Sequence, residues 1–243
     1  VTGGGRGIGR AVAAALSAAG ATVSVLGRQQ AALEDAVAAG HATGFLVADV
    51  TDPASVAAAV KAAEAERGPF DGLIANAGGA ETAPFGKTEP AQFRRMFDLN
   101  VMGVVHSAQA VIGDMVARGQ GRIVAVASTA GLKGYGYVSA YCTAKHAVVG
   151  LVKSLAAEMA ASGVTVNAVC PGYTDTDLVS GSLETIAAKT GLGRDEALAQ
   201  LVKGNPQGRL IMPEEVAASV VHLCLPASAA ITGQSIIING GEF

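Results

Sequence analysis

The stretch Thr2-Gly3-Gly4-Gly5-Arg6-Gly7-Ile8-Gly9 decides the fold of this chain, because it lies between an apolar stub at Val1 and an alanine-rich segment of helical character. Glycines permit a tight turn there and let backbone N–H groups approach a pyrophosphate, to which the N-terminus of the following helix adds partial positive charge. A glycine-rich turn with no ligand is the alternative, since the motif alone is weak evidence. The order strand, turn, helix, second strand favours a dinucleotide site. Its predicted cofactor-binding residues are Gly3, Gly5, Arg6, Gly7, Ile8 and Gly9.

Short runs of Val, Ile and Leu alternate with longer alanine-rich stretches along the rest of the chain. This alternation is typical of parallel strands joined by right-handed helical crossovers. We therefore predict an α/β fold: a Rossmann-type, doubly wound parallel sheet of about seven strands, forming a single domain over residues 1–243. The predicted strands are a stub at Val1 and runs at 22–26, 44–47, 71–75, 122–127, 164–169 and 235–238. The predicted helices cover 8–19, 29–39, 53–66, about 90–118, 140–161 and 213–224.

The stretch 174–207 departs from this rhythm, because it has no strand candidate and carries four glycines around two short helical segments. Doubly wound folds place substrate-covering elements in long insertions after a strand's carboxyl end. We interpret 174–207 as a small helical substrate lid.

Composition excludes several classes of function. The 17 basic and 20 acidic residues are scattered, so neither nucleic acid nor an anionic membrane is an expected partner. No uninterrupted run of about 20 strongly apolar residues suggests a membrane span. Three cysteines without a CxxC pair argue against a zinc site or a disulfide framework and favour a reducing cytoplasm. The four histidines show no metal-ligand spacing, and we predict no metal.

The first residues also permit a different interpretation. Arg6 and Arg10, followed by the alanine-rich stretch 11–21, imitate a signal peptide, but the glycines of the turn are foreign to one. The chain opens at Val1 without Met, and we expect a few further residues of a first strand to precede it.

The end of the second strand indicates which nicotinamide cofactor is used. A carboxylate that binds the ribose usually stands about 20 residues after the glycines, and Leu26-Gly27-Arg28-Gln29-Gln30 offers none. Arg28 and Arg6 could instead flank a 2′-phosphate. A solvated surface pair is the alternative. We predict NADP(H) rather than NAD(H).

Three residues together indicate a catalytic site. Tyr141 and Lys145 stand four apart on a predicted helix and share one face, and Ser128 closes an apolar strand at the edge where α/β sites assemble. Singly, each has an ordinary interpretation: an interfacial aromatic, a solvated charge and a turn cap. Their conjunction after a dinucleotide turn favours catalysis.

The chemistry expected of these residues is proton transfer during hydride transfer. To act as a base near neutrality, a phenol must lower its pKa of about 10 by about three, which corresponds to roughly 4 kcal/mol. One ammonium group about 4 Å away supplies about that much at an effective dielectric constant of 20. We expect neutral Tyr141 to donate its proton to the carbonyl oxygen in the reductive direction, while Ser128 holds that oxygen.

With these motifs the chain resembles a short-chain dehydrogenase/reductase of the compact single-domain branch, nearly end to end. The elements that carry the resemblance are the TGxxxGIG turn at 2–9, Asp49-Val50, Asn76-Ala77-Gly78, Asn100, Ser128, Tyr141-x-x-x-Lys145 and Pro171-Gly172. One departure is Ala75, where the family commonly has an asparagine.

The resemblance implies roles for further residues. Asp49 and Val50 would bind the adenine, Asn76 with Ala77 and Gly78 would line the cofactor, and Asn100 would hold a water of the proton relay. Lys145 and Tyr141 would also contact the cofactor, with Lys145 on the nicotinamide ribose. The carboxamide would be flanked by Pro171, Gly172 and Thr174. The resemblance also implies a homotetramer in which helices near 100–118 and 144–161 pair between subunits.

The substrate is expected to be a small molecule without strong charge at its reacting end, because the segment before Tyr141 is apolar and partly aromatic. The residues expected at this mouth are Leu132, Gly134, Tyr135, Tyr137 and Val138. The runs 145–150 and 167–172 are similar to those of 3-oxoacyl thioester and polyketide ketoreductases. The leading hypothesis is thus a ketoreductase. Alternatives are an NAD-dependent secondary alcohol or hydroxyacyl dehydrogenase, a sugar-nucleotide epimerase or dehydratase with the same tyrosine and lysine, and a non-catalytic NADP(H)-binding sensor.

Overall fold

Parallel strands form the centre of the molecule, as the alternating sequence predicts. The computed structural model describes residues 1–177, 179–181, 183–184 and 191–243. Its strands are β1 (Ser24–Gly27), β2 (Gly44–Val47), β3 (Gly72–Ala75), β4 (Gly121–Val126), β5 (Val164–Pro171) and β6 (Ser235–Ile238). β1 pairs with β2, and the other four pair in the order β3-β4-β5-β6. Every strand pair is parallel, which confirms the predicted α/β class.

Val1 and Thr2 join the two groups of strands. Thr2 forms a parallel bridge with Leu26 of β1, and its N–H donates to the Ile74 carbonyl of β3 over 2.9 Å. The sequence predicts about seven strands, and the structure has six in the described residues. The difference lies at this bridge, which takes the place of the predicted stub but is too short to count as a strand.

Helices flank the sheet on both faces. They are α1 (Gly7–Ala18), α2 (Gln30–Ala38), α3 (Pro53–Arg67), α4 (Pro90–Phe97), α5 (Gly103–Arg118), α6 (Ser139–Met159), α7 (Arg194–Val202) and α8 (Pro213–Cys224). The single helix predicted over 90–118 is in fact α4 and α5 joined by a π-helical turn, Asp98–Met102. No helix of the described ranges is long and apolar enough to cross a bilayer.

The core has two layers because successive side chains of a strand point to opposite faces. In β4, Ile123 packs in the cluster that contains Val111 of α5 and Val148 of α6. Its neighbour Val124 packs in the cluster that contains Val216 of α8. Strands buried on both faces explain why the sequence shows continuous apolar runs rather than alternation.

The predicted lid is partly described. Residues 178, 182 and 185–190 of the stretch 174–207 lie outside the described residues. Of the described part, 177, 179–181 and 183–184 are helical, and α7 follows. Val179, Leu183 and Ala197 are buried together, so the two helical segments pack on one another. Their role as a lid remains a prediction.

Candidate active site

The carboxyl ends of the parallel strands gather the predicted site residues at one edge of the sheet. Arg28 follows β1, Asn76 follows β3, and Ser128 stands two residues after β4. Gly172 follows the last residue of β5. Open α/β sheets bind ligands in the crevice outside these ends, at the point where strand order reverses. The glycine turn lies at that point, between β1 and β3.

The glycines of the turn leave backbone exposed at positions where a side chain would be strained or would clash. Gly3 and Gly7 have φ angles of 64° and 51°, a region that favours glycine. A Cβ atom added to Gly9 would lie 2.3 Å from the Gly3 carbonyl oxygen and 2.5 Å from Asn76 Nδ2. The 12-residue helix α1 begins at Gly7 and directs its N-terminal partial positive charge to the same place. These residues fit the pyrophosphate of a dinucleotide.

Asn76 ties this turn to the sheet. Its Nδ2 donates to the Thr2 carbonyl over 3.0 Å and to the Gly3 carbonyl over 3.3 Å. In return, Thr2 Oγ1 accepts from the N–H groups of Asn76 and Ala77, each over 3.0 Å. Ala75, where the resembled family has an asparagine, is buried at the end of β3 and leaves this brace intact.

Arg28 has a partner that the sequence does not reveal. Its Nη1 lies 3.6 Å from Asp49 Oδ2, while Thr51 donates to Asp49 Oδ1 from its N–H and its hydroxyl. The hydrogen bond from the Thr51 N–H, with smaller help from Arg28, lowers the pKa of Asp49. Arg28 remains 69% exposed, and Arg6 is exposed at the start of α1. A phosphate at this edge would therefore compete with Asp49 for the guanidinium group.

Val50 contacts His106, a residue that nothing in the sequence marked as part of the site. Nδ1 of His106 lies 2.9 Å from the Val50 carbonyl oxygen. A Cβ atom on Gly103 would lie 2.9 Å from Val50 Cγ2, so the N-terminus of α5 packs closely on this strand end. His106 thus supports a predicted cofactor residue from α5.

Ser128, Tyr141 and Lys145 are brought together as predicted. Ser128 begins a short 3-10 helix, Thr129–Gly131, and its Oγ accepts from the Ala130 N–H over 3.1 Å. The Ser128 hydroxyl also lies near enough to the Tyr141 phenol to lower its pKa. Lys145 Nζ donates to the Val126 carbonyl over 2.9 Å and lies 5.6 Å from the centre of the Tyr141 ring. Two hydroxyls and one ammonium group therefore share this edge of β4.

The electrostatics differ from those expected from the sequence. Burial raises the pKa of Tyr141 to about 12, and the nearby Ser128 hydroxyl only partly opposes it. Burial also lowers the pKa of Lys145 to about 8. From the sequence we expect Lys145 to be nearly sufficient to lower the Tyr141 pKa towards neutrality, but in the protein without cofactor desolvation raises that pKa instead. The phenol is held in its neutral, proton-donating form.

Replacing Lys145 with Met tests the cost of this buried charge. An ordinary lysine pKa of 10.5 lowered to about 8 means that the unfolded chain binds more protons between these two pH values. Stability therefore rises with pH across that window, and the full penalty, roughly 3 kcal/mol, is present at pH 7. We expect the variant to unfold at a higher temperature than the parent at pH 7. Its advantage should shrink as the pH rises from 8 to 10.5.

Thermal unfolding across that pH range measures the difference between the two proteins. Lys153→Met, on an exposed face of the same helix, is the control and should show no such pH-dependent gain. A destabilised Lys145→Met protein at pH 7 would mean that the hydrogen bond to Val126 outweighs desolvation.

Asn100 occupies the π-helical turn between α4 and α5 and is 1% exposed. Its Nδ2 donates to the carbonyl oxygens of Gly79 and Met96, each over 3.0 Å, and its Oδ1 accepts from the Gly79 N–H over 3.3 Å. A Cβ atom on Gly78 would lie 2.8 Å from Asn100 Oδ1, so the predicted cofactor residue Gly78 must lack a side chain. Both amide hydrogens of Asn100 are used in fixing this loop. Insertions of this kind in α-helices are frequent at functional sites.

The predicted carboxamide-binding segment follows β5. Pro171 is the last residue of that strand, and Thr174 Oγ1 donates to the Gly172 carbonyl over 3.0 Å. Thr176 Cγ2 would lie 3.2 Å from a Cβ atom on Gly7. The start of the stretch 174–207 therefore covers the glycine turn.

Tyr135, one of the residues expected at the mouth of the site, has two neighbours that the sequence did not suggest, Tyr173 and Glu242. Tyr135 and Tyr137 lie on the loop before Tyr141, and Tyr173 meets Tyr135 edge to face with 6.1 Å between ring centres. Together with Tyr141, these three residues are the four tyrosines of the chain. Tyr137, with φ of 67°, is 71% exposed. Glu242 accepts a hydrogen bond from Tyr135, a contact across 107 residues that no local pattern signals.

No metal-binding group is found in the described part of the chain. A group of three or more His, Cys, Asp or Glu residues that could hold an ion does not occur among these residues.

Comparisons with known proteins agree with this geometry. Residues 1–187 match the family model described as short chain dehydrogenase. The chain is 38% identical to cis-4-hydroxycyclohexanecarboxylate dehydrogenase of Sinomonas cyclohexanicum, covering 99% of this chain and 94% of that protein. It is 37% identical to acetoacetyl-CoA reductase of Shinella zoogloeoides, covering 100% and 97%. A solved structure of a single-residue variant of actinorhodin polyketide ketoreductase with NADPH superimposes with a TM-score of 0.95 at 33% identity, covering 100% of this chain and 95% of that one.

Proposed function

We propose that this chain, which belongs to the short-chain dehydrogenase family, uses NADP(H) to interconvert a ketone or 3-oxo group and a secondary alcohol. The chain is an oxidoreductase of carbonyl and alcohol groups with a nicotinamide cofactor, as its relatives indicate. The single observation that carries the proposal is that Ser128, Tyr141 and Lys145 converge at the carboxyl end of β4: the Ser128 hydroxyl is near enough to the phenol to act on its pKa, and Lys145 Nζ lies 5.6 Å from the centre of the Tyr141 ring. An epimerase with the same tyrosine and lysine is disfavoured, because the relatives that cover this chain end to end are reductases and dehydrogenases.

The proposed mechanism assigns proton transfer to Tyr141. The bound cofactor supplies or accepts the hydride. In the reductive direction the Tyr141 hydroxyl gives its proton to the carbonyl oxygen, and the phenol, whose pKa burial raises to about 12, starts from its neutral form. The Ser128 hydroxyl holds the same oxygen and stabilises its developing charge. Oxidation needs the phenolate, and the ammonium group of Lys145 together with a positively charged nicotinamide would favour it.

The other predicted residues would hold the cofactor. Its pyrophosphate fits the turn at 2–9, and its adenine fits beside Asp49 and Val50. The nicotinamide half would lie along 76–78 and 171–174, with its ribose on Lys145. Because both side-chain hydrogens of Asn100 are already used, a water of the proposed proton relay would be held by an acceptor of Asn100, either its Oδ1 or its carbonyl oxygen.

Arg28 carries the preference for NADP(H) in this proposal. A charge-assisted hydrogen bond to a 2′-phosphate contributes roughly 1.5–3 kcal/mol, so Arg28→Ala should raise the KM for NADPH roughly 10- to 100-fold. The KM for NADH should change little, since NADH has no such phosphate. Steady-state kinetics with both cofactors measures the shift.

Arg10→Ala is the matched control, because Arg10 lies one turn after Arg6 on α1 but donates to His41 over 3.2 Å. It should leave both KM values near those of the parent. A parent enzyme that prefers NADH, and still does so without Arg28, would favour the alternative of an NAD-dependent dehydrogenase.

There are two candidate classes for the physiological substrate. A 3-oxoacyl thioester or polyketide-like ketone is favoured by the likeness to the acetoacetyl-CoA and actinorhodin reductases. A cyclic secondary alcohol is favoured by the likeness to the cyclohexanecarboxylate dehydrogenase. A panel of ketones, diketones, 3-oxoacyl thioesters and the matching alcohols, followed by NADPH absorbance, distinguishes them. Absence of turnover with every compound would leave the non-catalytic sensor as the better description.

We further propose that the enzyme is a homotetramer in which α5 and α6 pair between subunits, and that 174–207 closes over the substrate. Val116 of α5 is 42% exposed, so this helix presents apolar surface to solvent in the single chain. Light scattering that finds a stable monomer would contradict the assembly.

A further inference from the structure

An ion pair with a buried carboxylate joins the loop after Ser128 to Glu242 near the end of the described chain. Glu242 Oε1 lies 2.7 Å from Lys133 Nζ, and its two oxygens lie 3.0 and 3.1 Å from the Tyr135 hydroxyl. Lys133 Nζ also lies over the rings of Tyr135 and Phe243, 4.9 and 4.8 Å from their centres. We call Lys133, Tyr135 and Glu242 the clasp.

The clasp connects two segments that are distant in sequence, and Glu242 reaches two more. Lys133 and Tyr135 lie on the loop that follows Ser128, while Glu242 comes from the end of the described chain. A Cβ atom on Gly204 would lie 3.1 Å from Glu242 Oε1, and one on Gly172 would lie 3.8 Å from its Oε2. Glu242 therefore touches the end of the proposed lid and the segment after β5 as well.

Burial of the Glu242 carboxylate makes its contacts important for stability. The Glu242 side chain is only 9% exposed, and a buried carboxylate is costly unless it is paired and hydrogen-bonded. Here one ammonium group and one phenol meet both needs. Removing either partner would leave the charge poorly compensated, so the loop and the C-terminal segment are held to each other.

The clasp also reaches the catalytic loop. Tyr135 Oη lies 2.8 Å from Thr129 Oγ1, and Thr129 is the residue after Ser128. Because the phenol of Tyr135 is occupied by Glu242 and Thr129, its hydroxyl is unavailable for a substrate. Its ring, packed edge to face with Tyr173, remains as the wall of the mouth.

We infer that Glu242 is a positioning residue for the reaction: through Tyr135 and Thr129 it fixes the loop that carries Ser128 and the aromatic wall that selects the substrate. This inference rests on the proposed function. It explains why a carboxylate stands beside a site for uncharged carbonyl compounds without contacting the reacting atoms. It predicts that the wall favours substrates with apolar bulk next to the carbonyl group.

Glu242→Gln tests the inference with kinetics. The amide keeps an acceptor near Tyr135 but loses the ion pair. We expect the KM for the best ketone of the panel to rise roughly three- to tenfold, with a smaller fall in kcat and an unchanged KM for the cofactor. Tyr135→Phe should have a similar effect, and adding Glu242→Gln to it should cost little more, because both changes break the same connection.

A second measurement does not depend on activity. Hydrogen exchange of the backbone amides at 129–135 should be several-fold faster in Glu242→Gln and in Lys133→Met than in the parent protein. Glu158→Gln is the matched control, an exposed carboxylate 17 residues after Tyr141 on α6 and thus roughly 25 Å from it. It should change neither readout.

The outcomes separate the two proposals. Absence of turnover in the parent protein contradicts the proposed function, and the exchange rates then still decide whether Glu242 fixes the loop. Unchanged exchange at 129–135 in Glu242→Gln overturns the inference. So does a rise of the substrate KM and the cofactor KM in equal proportion, which would mark a general structural role.

Discussion

Tyr141→Phe will lower kcat roughly 10³-fold while leaving cofactor binding near that of the parent protein, because general acid–base groups contribute roughly 10²- to 10⁴-fold. The substitution removes one oxygen atom, which lies near the Ser128 hydroxyl. Since burial already holds the phenol in its neutral form, its loss withdraws a proton donor and not a charge. The fold should therefore persist.

The decisive measurement is kcat with the best compound of the panel, beside the cofactor dissociation constant from calorimetry. Tyr135→Phe removes a second phenol from the same mouth and should retain at least roughly a tenth of the turnover, because its hydroxyl serves the clasp. Near-normal turnover in Tyr141→Phe would show that another group moves the proton, and the proposed mechanism would fall.

Gly9→Ala should abolish cofactor binding and destabilise the protein. The added methyl would lie 2.3 Å from the Gly3 carbonyl oxygen, which is backbone, and 2.5 Å from Asn76 Nδ2, which two hydrogen bonds hold in place. Either the glycine turn or the Asn76 side chain that ties it to the sheet must move. Overpacking of this kind costs about 1–3 kcal/mol or more, and the displaced backbone is the one that must contact pyrophosphate.

Calorimetric titration with NADPH and thermal unfolding measure the two effects. Gly113→Ala is the control, since Gly113 lies within α5 with no atom inside 4 Å of an added Cβ. Alanine favours helix by about 1 kcal/mol there, so this variant should be slightly stabilised. Tight NADPH binding by Gly9→Ala would place the cofactor away from the glycine turn.

Much of the fold follows from local patterns in the sequence. The predicted bounds of β2, β6 and α8 match those observed, because apolar runs and a first-turn proline mark them. The π-helical turn at Asn100 could not be predicted, since one inserted residue leaves the apolar spacing of the helix nearly unchanged. It is a tertiary arrangement that lets Asn100 reach Gly79.

The site divides in the same way. The glycine turn, Ser128, Tyr141 and Lys145 could be recognised because strand ends and helical spacing determine where they lie, and Asn76 is what the family resemblance implies. The hydrogen-bond and ion-pair partners of these residues could not be predicted from the sequence. Arg28 meets Asp49 across 21 residues, and the direction of the Tyr141 pKa depends on desolvation by the whole surrounding structure.

Three of the four tyrosines, Tyr135, Tyr141 and Tyr173, lie close together in a chain without tryptophan. Near-ultraviolet absorption, emission and circular dichroism of this protein therefore report chiefly on its catalytic region, with six phenylalanines as a weak background. The unlabelled molecule carries its own optical probe, so ligand occupancy can be followed by spectroscopy without a dye or an engineered residue.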